Sequence, residues 1–257
     1  MQSSLRIEVP GRREMNEKAP DFSNKAYLFP PINREGRRFG GIALAVALAV
    51  AGGAGWLLCR GNWWWGAGVT AVVVPLLLLA YGVFLFFRDP ERYPPEDAKA
   101  ILSPADGRIC LIQRVPLPDE LREEGDGREF WRVSVFMSVF DVHVNRMPTA
   151  GRILKKAYVA GKFLNASLDK ASKDNERCGY LVEAEGGAVY GVVQIAGLVA
   201  KRIVPFVAEG ARLARAERFG LIRFGSRLDV YLPEGVAPEV RVGQTMVAGE
   251  SVLGHLG

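Results

Sequence analysis

The chain has 257 residues, a formal charge of +5 and hydrophobic side chains at 49% of positions, a length that holds one substantial catalytic domain plus an appendage. Its modest basic excess comes without an aromatic–basic RNA motif or a recognition helix, which excludes a nucleic-acid binder and points to anionic lipid. Three cysteines, Cys59, Cys110 and Cys178, stand at no metal-ligand spacing and read as reduced thiols; with only His143 and His255 as histidines, no metal site is expected.

Residues 1–29 are polar and proline-containing, lack periodicity, and read as a flexible N-terminal arm. Residues 30–93 read as a membrane-anchoring helical hairpin. Phe39–Leu58 is uncharged, Cys59–Asn62 is a turn, Trp63, Trp64 and Trp65 come next, and a second uncharged run covers Gly66–Phe87. Each run is close to the roughly 20 residues that cross a bilayer core, and indole rings favour the headgroup level. Arg34, Arg37 and Arg38 precede the first span and Arg88 and Arg92 follow the second, against Arg60 alone in the turn. The positive-inside bias therefore places both ends of the hairpin, and the β-rich domain attached to it, on the cytoplasmic side of the cell (inner) membrane. The long polar stretch ahead of the first run argues against a signal peptide. Gly52, Gly53, Gly55 and Pro75 leave open a hairpin sunk only into the inner leaflet.

From residue 94 to 257 the pattern is mainly β. Ile109–Val115, Trp131–Phe140, Val182–Ala184, Val189–Ile195, Leu221–Phe224 and Leu228–Leu232 read as strands, the second covered on both faces. Asp119–Arg128 is acidic and reads as an exposed loop. Ala208–Glu217 has a weak helical pattern, but a repeat opposes it: Val207, Gly210, Leu213, Ala216, Glu217 and Phe219 recur as Val240, Gly243, Met246, Gly249, Glu250 and Val252. Glycine suits a positive-φ turn in each copy, while the apolar positions point inward. This spacing resembles the paired hammerhead turns of biotinyl/lipoyl-like barrel-sandwich domains. The expected fold is a mainly β (α+β) catalytic domain with barrel-sandwich, lipoyl-like features behind a two-helix membrane hairpin.

Three residues carry candidate chemistry. Asp106 lies in Ser103-Pro104-Ala105-Asp106-Gly107, a tight-turn composition in which aspartate often only caps its own turn. His143 follows a strand in Asp141-Val142-His143 and is the sole histidine within the globular core, with Asp141 two residues back on its face. Ser226 follows Gly225, whose missing Cβ lets another group approach the carbonyl between them. Together they supply an orienter, a base and a nucleophile.

These residues, with Arg34-Glu35-Gly36, Phe86–Arg92, Val135–Pro148, Phe163-Leu164-Asn165, Asp169-Lys170-Ala171, Asn175-Glu176-Arg177 and Phe219–Pro233 in this order, resemble the phosphatidylserine decarboxylases, specifically the shorter members. The likeness runs from about Pro30 to the C-terminus. It implies a proenzyme cleaved between Gly225 and Ser226 into a large subunit (1–225) and a small one (226–257), with Ser226 converted to a covalent pyruvoyl cofactor. The resemblance further implies that this group forms a Schiff base with phosphatidylserine in the bilayer, loses carbon dioxide and releases phosphatidylethanolamine. His143 becomes the candidate base and Asp106 the residue fixing its tautomer.

Longer family members carry Gly-Ser-Thr at the cleavage site, where this chain has Arg227 after the serine. They also place a second histidine three residues after the first, where this chain has Arg146, and that second histidine is the one paired with aspartate and serine for self-cleavage. Arg146 and Arg227 are candidate ligands for substrate carboxylate or phosphate, since guanidinium offers a bidentate fork. A homo-oligomer is possible on this reading. Two other functions fit some of the residues: a membrane-tethered serine hydrolase using Asp106, His143 and Ser226, although no G-x-S-x-G elbow is present, and a non-enzymatic lipoyl-like carrier modified at Lys170.

Overall fold

The structure, a computed structural model, describes residues 31–61, 63–123, 126–161, 174–197, 202–223 and 226–257. Two helices come first, α1 (Arg34–Cys59) and α2 (Trp63–Phe86). Their Ala/Leu/Val-rich sequences favour helix once no water competes for the backbone. Gly61 ends α1 in a left-handed conformation at φ 79°, which a side chain would disfavour. Residues Gly36–Cys59 have a mean hydropathy of 2.2 and are long and apolar enough to cross a membrane. The described apolar stretch of α2 is shorter, Ala71–Phe86, and contains Pro75. Both helices start earlier than the apolar runs suggest, and Phe87 has already left the helix to lie buried. The two helices run back on each other: the Asn33 N–H donates to the Phe87 carbonyl at 2.9 Å and the Asp89 N–H to the Pro31 carbonyl at 2.7 Å. Gly36 is needed there, because a Cβ on it would lie 2.2 Å from Phe87 Cβ.

The remainder is antiparallel β structure. Its strands among the described residues are β1 (Ala100–Leu102), β2 (Gly107–Pro116), β3 (Glu129–Met137), β4 (Val144–Arg146), β5 (Gly151–Val159), β6 (Arg177–Ala184), β7 (Val189–Ala196), β8 (Arg202–Pro205), β9 (Arg212–Leu213), β10 (Arg218–Arg223), β11 (Ser226–Tyr231), β12 (Thr245–Met246) and β13 (Val252–His255). The large sheet has the order β12-β2-β3-β11-β7-β6-β5-β9, while β4-β10-β8 and β1-β13 form two smaller sheets. Strand β11 lies in the middle of the large sheet, Ser226 pairing with Met137 on β3 and Ala196 on β7.

One face of the large sheet holds the main core, with Val133, Val135, Met137, Ala196, Leu228 and Val230. The other face is covered by Leu117, Leu121, Phe130, Val193, Ile195 and Tyr231. This corrects the expectation of an exposed loop at Asp119–Arg128: Leu121 is buried, and Glu120 pairs with Arg177. The strand expected at Trp131–Phe140 stops at Met137, and Val139 and Phe140 are exposed.

No helix forms over Ala208–Glu217; β9 and turns occupy it. The repeat is visible in the backbone. Gly210 and Gly243 take φ of 83° and 90°, and Ala216 and Gly249 take 61° and 77°. The Gly210 N–H and Ala211 carbonyl bond to Ile153 as the Gly243 N–H and Gln244 carbonyl bond to Ile109. The relation extends to Pro104-Ala-Asp-Gly-Arg-Ile109 and Pro148-Thr-Ala-Gly-Arg-Ile153, each followed by a register shift in its strand pair. Across the axis between the copies, the Leu102 N–H bonds the Pro148 carbonyl and the Arg146 N–H bonds the Pro104 carbonyl, each at 2.9 Å.

The shared glycines have one cause. A Cβ on Gly107 would meet the Phe136 carbonyl oxygen at 2.1 Å, and one on Gly151 the Glu183 oxygen at 2.3 Å. Backbone cannot yield as a flexible side chain does. Gly107→Ala and Gly151→Ala should therefore each destabilise the fold by about 3 kcal/mol, whereas Ala216→Gly should stabilise it by about 1 kcal/mol by relieving the left-handed alanine. Denaturant midpoints in detergent check all three signs.

Candidate active site

Strand β11 gives Ser226 its setting. Side chains alternate across a strand, so Ser226 shares the main-core face with Leu228 and Val230, while Arg227 and Asp229 take the opposite face. Ser226 is fully buried, and its Oγ has no hydrogen-bond partner among the described residues. Burying a hydroxyl without compensation costs about 1–3 kcal/mol, so this position is held against its own solvation preference. Gly225, its predecessor, lies outside the described residues, as do Phe163–Lys170.

His143 sits just before β4, which pairs with β10, the strand leading to Ser226. Val144 is opposite Leu221, and the Ile222 N–H donates to the His143 carbonyl at 3.3 Å. Asn145 touches Met137 Sδ at 3.7 Å, and Met137 is the register partner of Ser226. The two small elements thereby meet at one end of the large sheet. Beneath them Gln194 donates to Asn145 Oδ1 at 2.8 Å and accepts from Tyr180 Oη at 3.2 Å. Gly220 keeps room for that amide, since a Cβ would lie 2.6 Å from Gln194 Nε2.

The imidazole of His143 is enclosed. Phe86, the last residue of α2, lies over it with ring centroids 4.1 Å apart. Its Nδ1 is 2.9 Å from the Asp141 main-chain carbonyl. A carbonyl only accepts, so Nδ1 carries the proton and Nε2 keeps its lone pair. Nε2 is buried without a hydrogen-bond partner among the described residues. Burial pushes the pKa down from 6.5 to about 4, outweighing the nearby Asp141, while Arg88 adds to the fall. Charging the ring in place costs about 3 kcal/mol relative to water. The ring is a neutral base with one defined tautomer.

That assignment corrects the expected role of Asp106. Its carboxylate accepts from Arg92 Nη2 at 2.7 and 2.9 Å and from the Ala248 N–H at 2.7 Å. No hydrogen bond joins it to His143 among the described residues, so the orienter of the imidazole is a main-chain carbonyl.

The expected substrate arginines are also occupied. Arg227 is fully buried on the face away from Ser226, its guanidinium bound to both Asp229 oxygens at 2.8 and 2.9 Å. Arg146 donates to Asp89 Oδ1 at 3.0 Å, the Pro90 carbonyl at 2.9 Å and the Ala216 carbonyl at 3.1 Å. Asp89 also takes Arg218 at 2.7 Å. Sequence reasoning used Arg92 only for membrane orientation and gave Asp89 no site role, although alternating charges directly after an apolar helix were a signal for docking. The Arg227-x-Asp229 spacing was likewise a same-face signal.

A family model described as phosphatidylserine decarboxylase matches residues 80–254. The chain belongs to the phosphatidylserine decarboxylase family. A phosphatidylserine decarboxylase proenzyme of Novosphingobium aromaticivorans is 50% identical over 238 residues, covering 90% of this chain and 89% of that protein. The proteins of the same name from Erythrobacter litoralis and Zymomonas mobilis are 50% identical over 239 residues and 49% identical over 231 residues. The family model covers the end of α2 and the β region as far as residue 254.

Because the folded pKa of His143 lies below the unfolded one, the unfolded chain holds the extra proton between pH 6.5 and about 4. Its contribution to stability is complete above that window and is lost as pH falls through it. The unfolding free energy of the wild type should therefore drop more steeply from pH 6.5 to 4 than that of His143→Gln. Parallel slopes would contradict the assignment.

Proposed function

We propose that the chain is a membrane-anchored proenzyme that cuts itself ahead of Ser226 and then decarboxylates phosphatidylserine to phosphatidylethanolamine and carbon dioxide. Family membership supports the reaction class. The observation that carries the residue assignment is a pair of buried polar atoms without a hydrogen-bond partner among the described residues, Ser226 Oγ and His143 Nε2, on segments linked by the contact of Asn145 with Met137, the register partner of Ser226.

In the first step Nε2 accepts the Ser226 hydroxyl proton as Oγ attacks the Gly225 carbonyl carbon. The C–N bond breaks, the proton passes to the released amine, and an ester joins Gly225 to Oγ. Removal of the residue-226 Cα proton then expels Gly225 as a carboxylate, leaving dehydroalanine. Addition of water and loss of ammonia complete an N-terminal pyruvoyl group. A buried hydroxyl without a partner among the described residues, at the start of a central strand, fits that conversion. The pyruvoyl group, once present, supplies the electron sink for loss of carbon dioxide from the substrate amino acid. His143 holds or returns a proton at Nε2, and Phe86 keeps water from it.

The cleaved products would be 1–225 and 226–257, and β structure explains why they would not part. In the small piece β11 lies between β3 and β7, β12 pairs with β2, and β13 pairs with β1. The finer architecture, a barrel-sandwich built on two hammerhead turns, is supported by the matched φ values and hydrogen bonds of the repeat. We read 1–29 as an arm, 30–93 as a membrane hairpin and 94–257 as the catalytic domain on the cytoplasmic side. The apolar length of α1 supports the anchor.

Wild type and Ser226→Ala, compared by intact mass and by carbon dioxide release from carboxyl-labelled phosphatidylserine, test this reading. Wild type should give two polypeptides, the smaller with a ketone-bearing N-terminus. Ser226→Ala should stay whole and inactive, and His143→Ala should slow splitting by about 100-fold or more. An active, uncut chain labelled at Ser226 by a fluorophosphonate would instead establish a hydrolase.

A further inference from the structure

A cleft of about 790 Å³ opens between the start of α1 and the β8–β10 edge. Arg34 and Arg38, one helical turn apart on α1, line it together with Arg223, the last residue of β10. The Arg223 guanidinium lies over the Phe39 ring, 5.4 Å from its centroid. No acidic side chain among the described residues lines this cleft. Its remaining wall is apolar: Phe39, Ile42 and Phe206 are 47%, 65% and 41% exposed. Nothing in a monomeric soluble protein accounts for three cations and three open apolar side chains around one cavity.

Two further features suit a membrane surface. Ile42 and Phe39 belong to the apolar length of α1 that is long enough to cross a membrane. At the foot of α2, Arg88 donates to the Phe140 carbonyl at 2.6 Å, fixing a loop whose Phe140 ring is 78% exposed. The cleft therefore offers positive charge at the depth of lipid phosphates and apolar surface at the depth of acyl chains. It also adjoins the reaction centre along the chain: three residues from Arg223 to Ser226 span at most about 10 Å.

We propose that this cleft binds the phosphodiester and the glycerol end of the membrane phospholipid substrate, with Arg34, Arg38 and Arg223 on the phosphate and Phe39, Ile42 and Phe206 along the acyl chains. The inference rests on the function proposed above and deepens it. It gives the substrate's phosphate to α1 and β10, leaving Arg146 and Arg227 to their internal ion pairs. A phosphate held there directs the serine headgroup toward residue 226 and keeps the lipid tails in the bilayer.

The test uses the full-length protein and vesicles of phosphatidylserine in phosphatidylcholine. Arg34→Gln/Arg38→Gln should split into two subunits as the wild type does, which shows that it folds. Its KM, expressed as the surface fraction of phosphatidylserine, should rise about tenfold or more while kcat changes little. Arg37→Gln is the control. It removes one charge from the same helix end, half of what the double variant removes, but Arg37 lies outside the cleft and donates to the Ile32 carbonyl; its KM should stay at the wild-type value. Inorganic phosphate, added as a competitor, should leave the reaction unaffected, because it brings no glycerol or acyl contacts. An unchanged KM in the double variant overturns the proposal. So does a rise in Arg37→Gln as large per charge removed, which would mean diffuse surface charge, or strong competition by inorganic phosphate, which would mean a free-phosphate site. If the wild type itself neither splits nor releases carbon dioxide, it is the underlying decarboxylase reading that fails.

Discussion

The connection between the apolar helices and the β region rests on a few buried ion pairs. Asp89 lies between Arg146 and Arg218, and Arg92 grips Asp106 with help from the Ala248 N–H. Pairs of this kind add little net stability, because desolvation offsets much of their attraction. Their value is geometric. A charge enclosed by protein tolerates only one partner arrangement, so Asp89 and Arg92 fix where α2 ends relative to β4 and the paired turns. Once α2 is placed, Phe86 covers His143, and the apolar helix that reads as the anchor becomes a wall of the reaction centre.

Burial does most of the chemistry that the site requires before any substrate arrives. It keeps the imidazole neutral, and a carbonyl two residues upstream selects its tautomer. It also leaves the Ser226 hydroxyl with no competing hydrogen bond among the described residues. The start of a central strand suits the proposed cleavage of a chain that must remain assembled afterwards. The strands downstream of residue 226 are each paired with strands upstream of it. Hydrogen bonding across the sheet would then hold the two proposed pieces as one body.

The internal repeat was legible in part. The Gly, Leu/Met and Glu spacing at 207–219 and 240–252 announced two similar turns, and it correctly overruled the helical pattern there. The companion repeat Pro-x-x-Gly-Arg-Ile, at 104–109 and 148–153, was equally present in the letters. Its meaning depends on Gly107 and Gly151 each lying against the backbone of another strand, which a linear reading does not display. Asp106 drew attention as catalytic through its Ser-Pro-Ala-Asp-Gly turn, and the matching position in the other copy is Ala150. In three dimensions that carboxylate instead receives Arg92 and a main-chain N–H.

Much of the function was determined by the sequence alone. The apolar runs, the order of the motifs and the Gly225-Ser226 pair are local chemical facts, and composition and spacing preserve them. The positions of the main strands were also readable, because alternation and β-branched runs are local. Which groups touch was decided only by tertiary structure. Arg227 neighbours Ser226 in the chain, yet strand alternation sends it to the opposite face and into Asp229. Arg146 and Asp89 are far apart in sequence and close in space because α2 returns the chain to β4. The histidine's orienter proved to be a carbonyl, a group every residue possesses, so no residue letter marks it. Proton location, tautomer and the cationic cleft all arise from packing, which brings together groups that the sequence keeps apart.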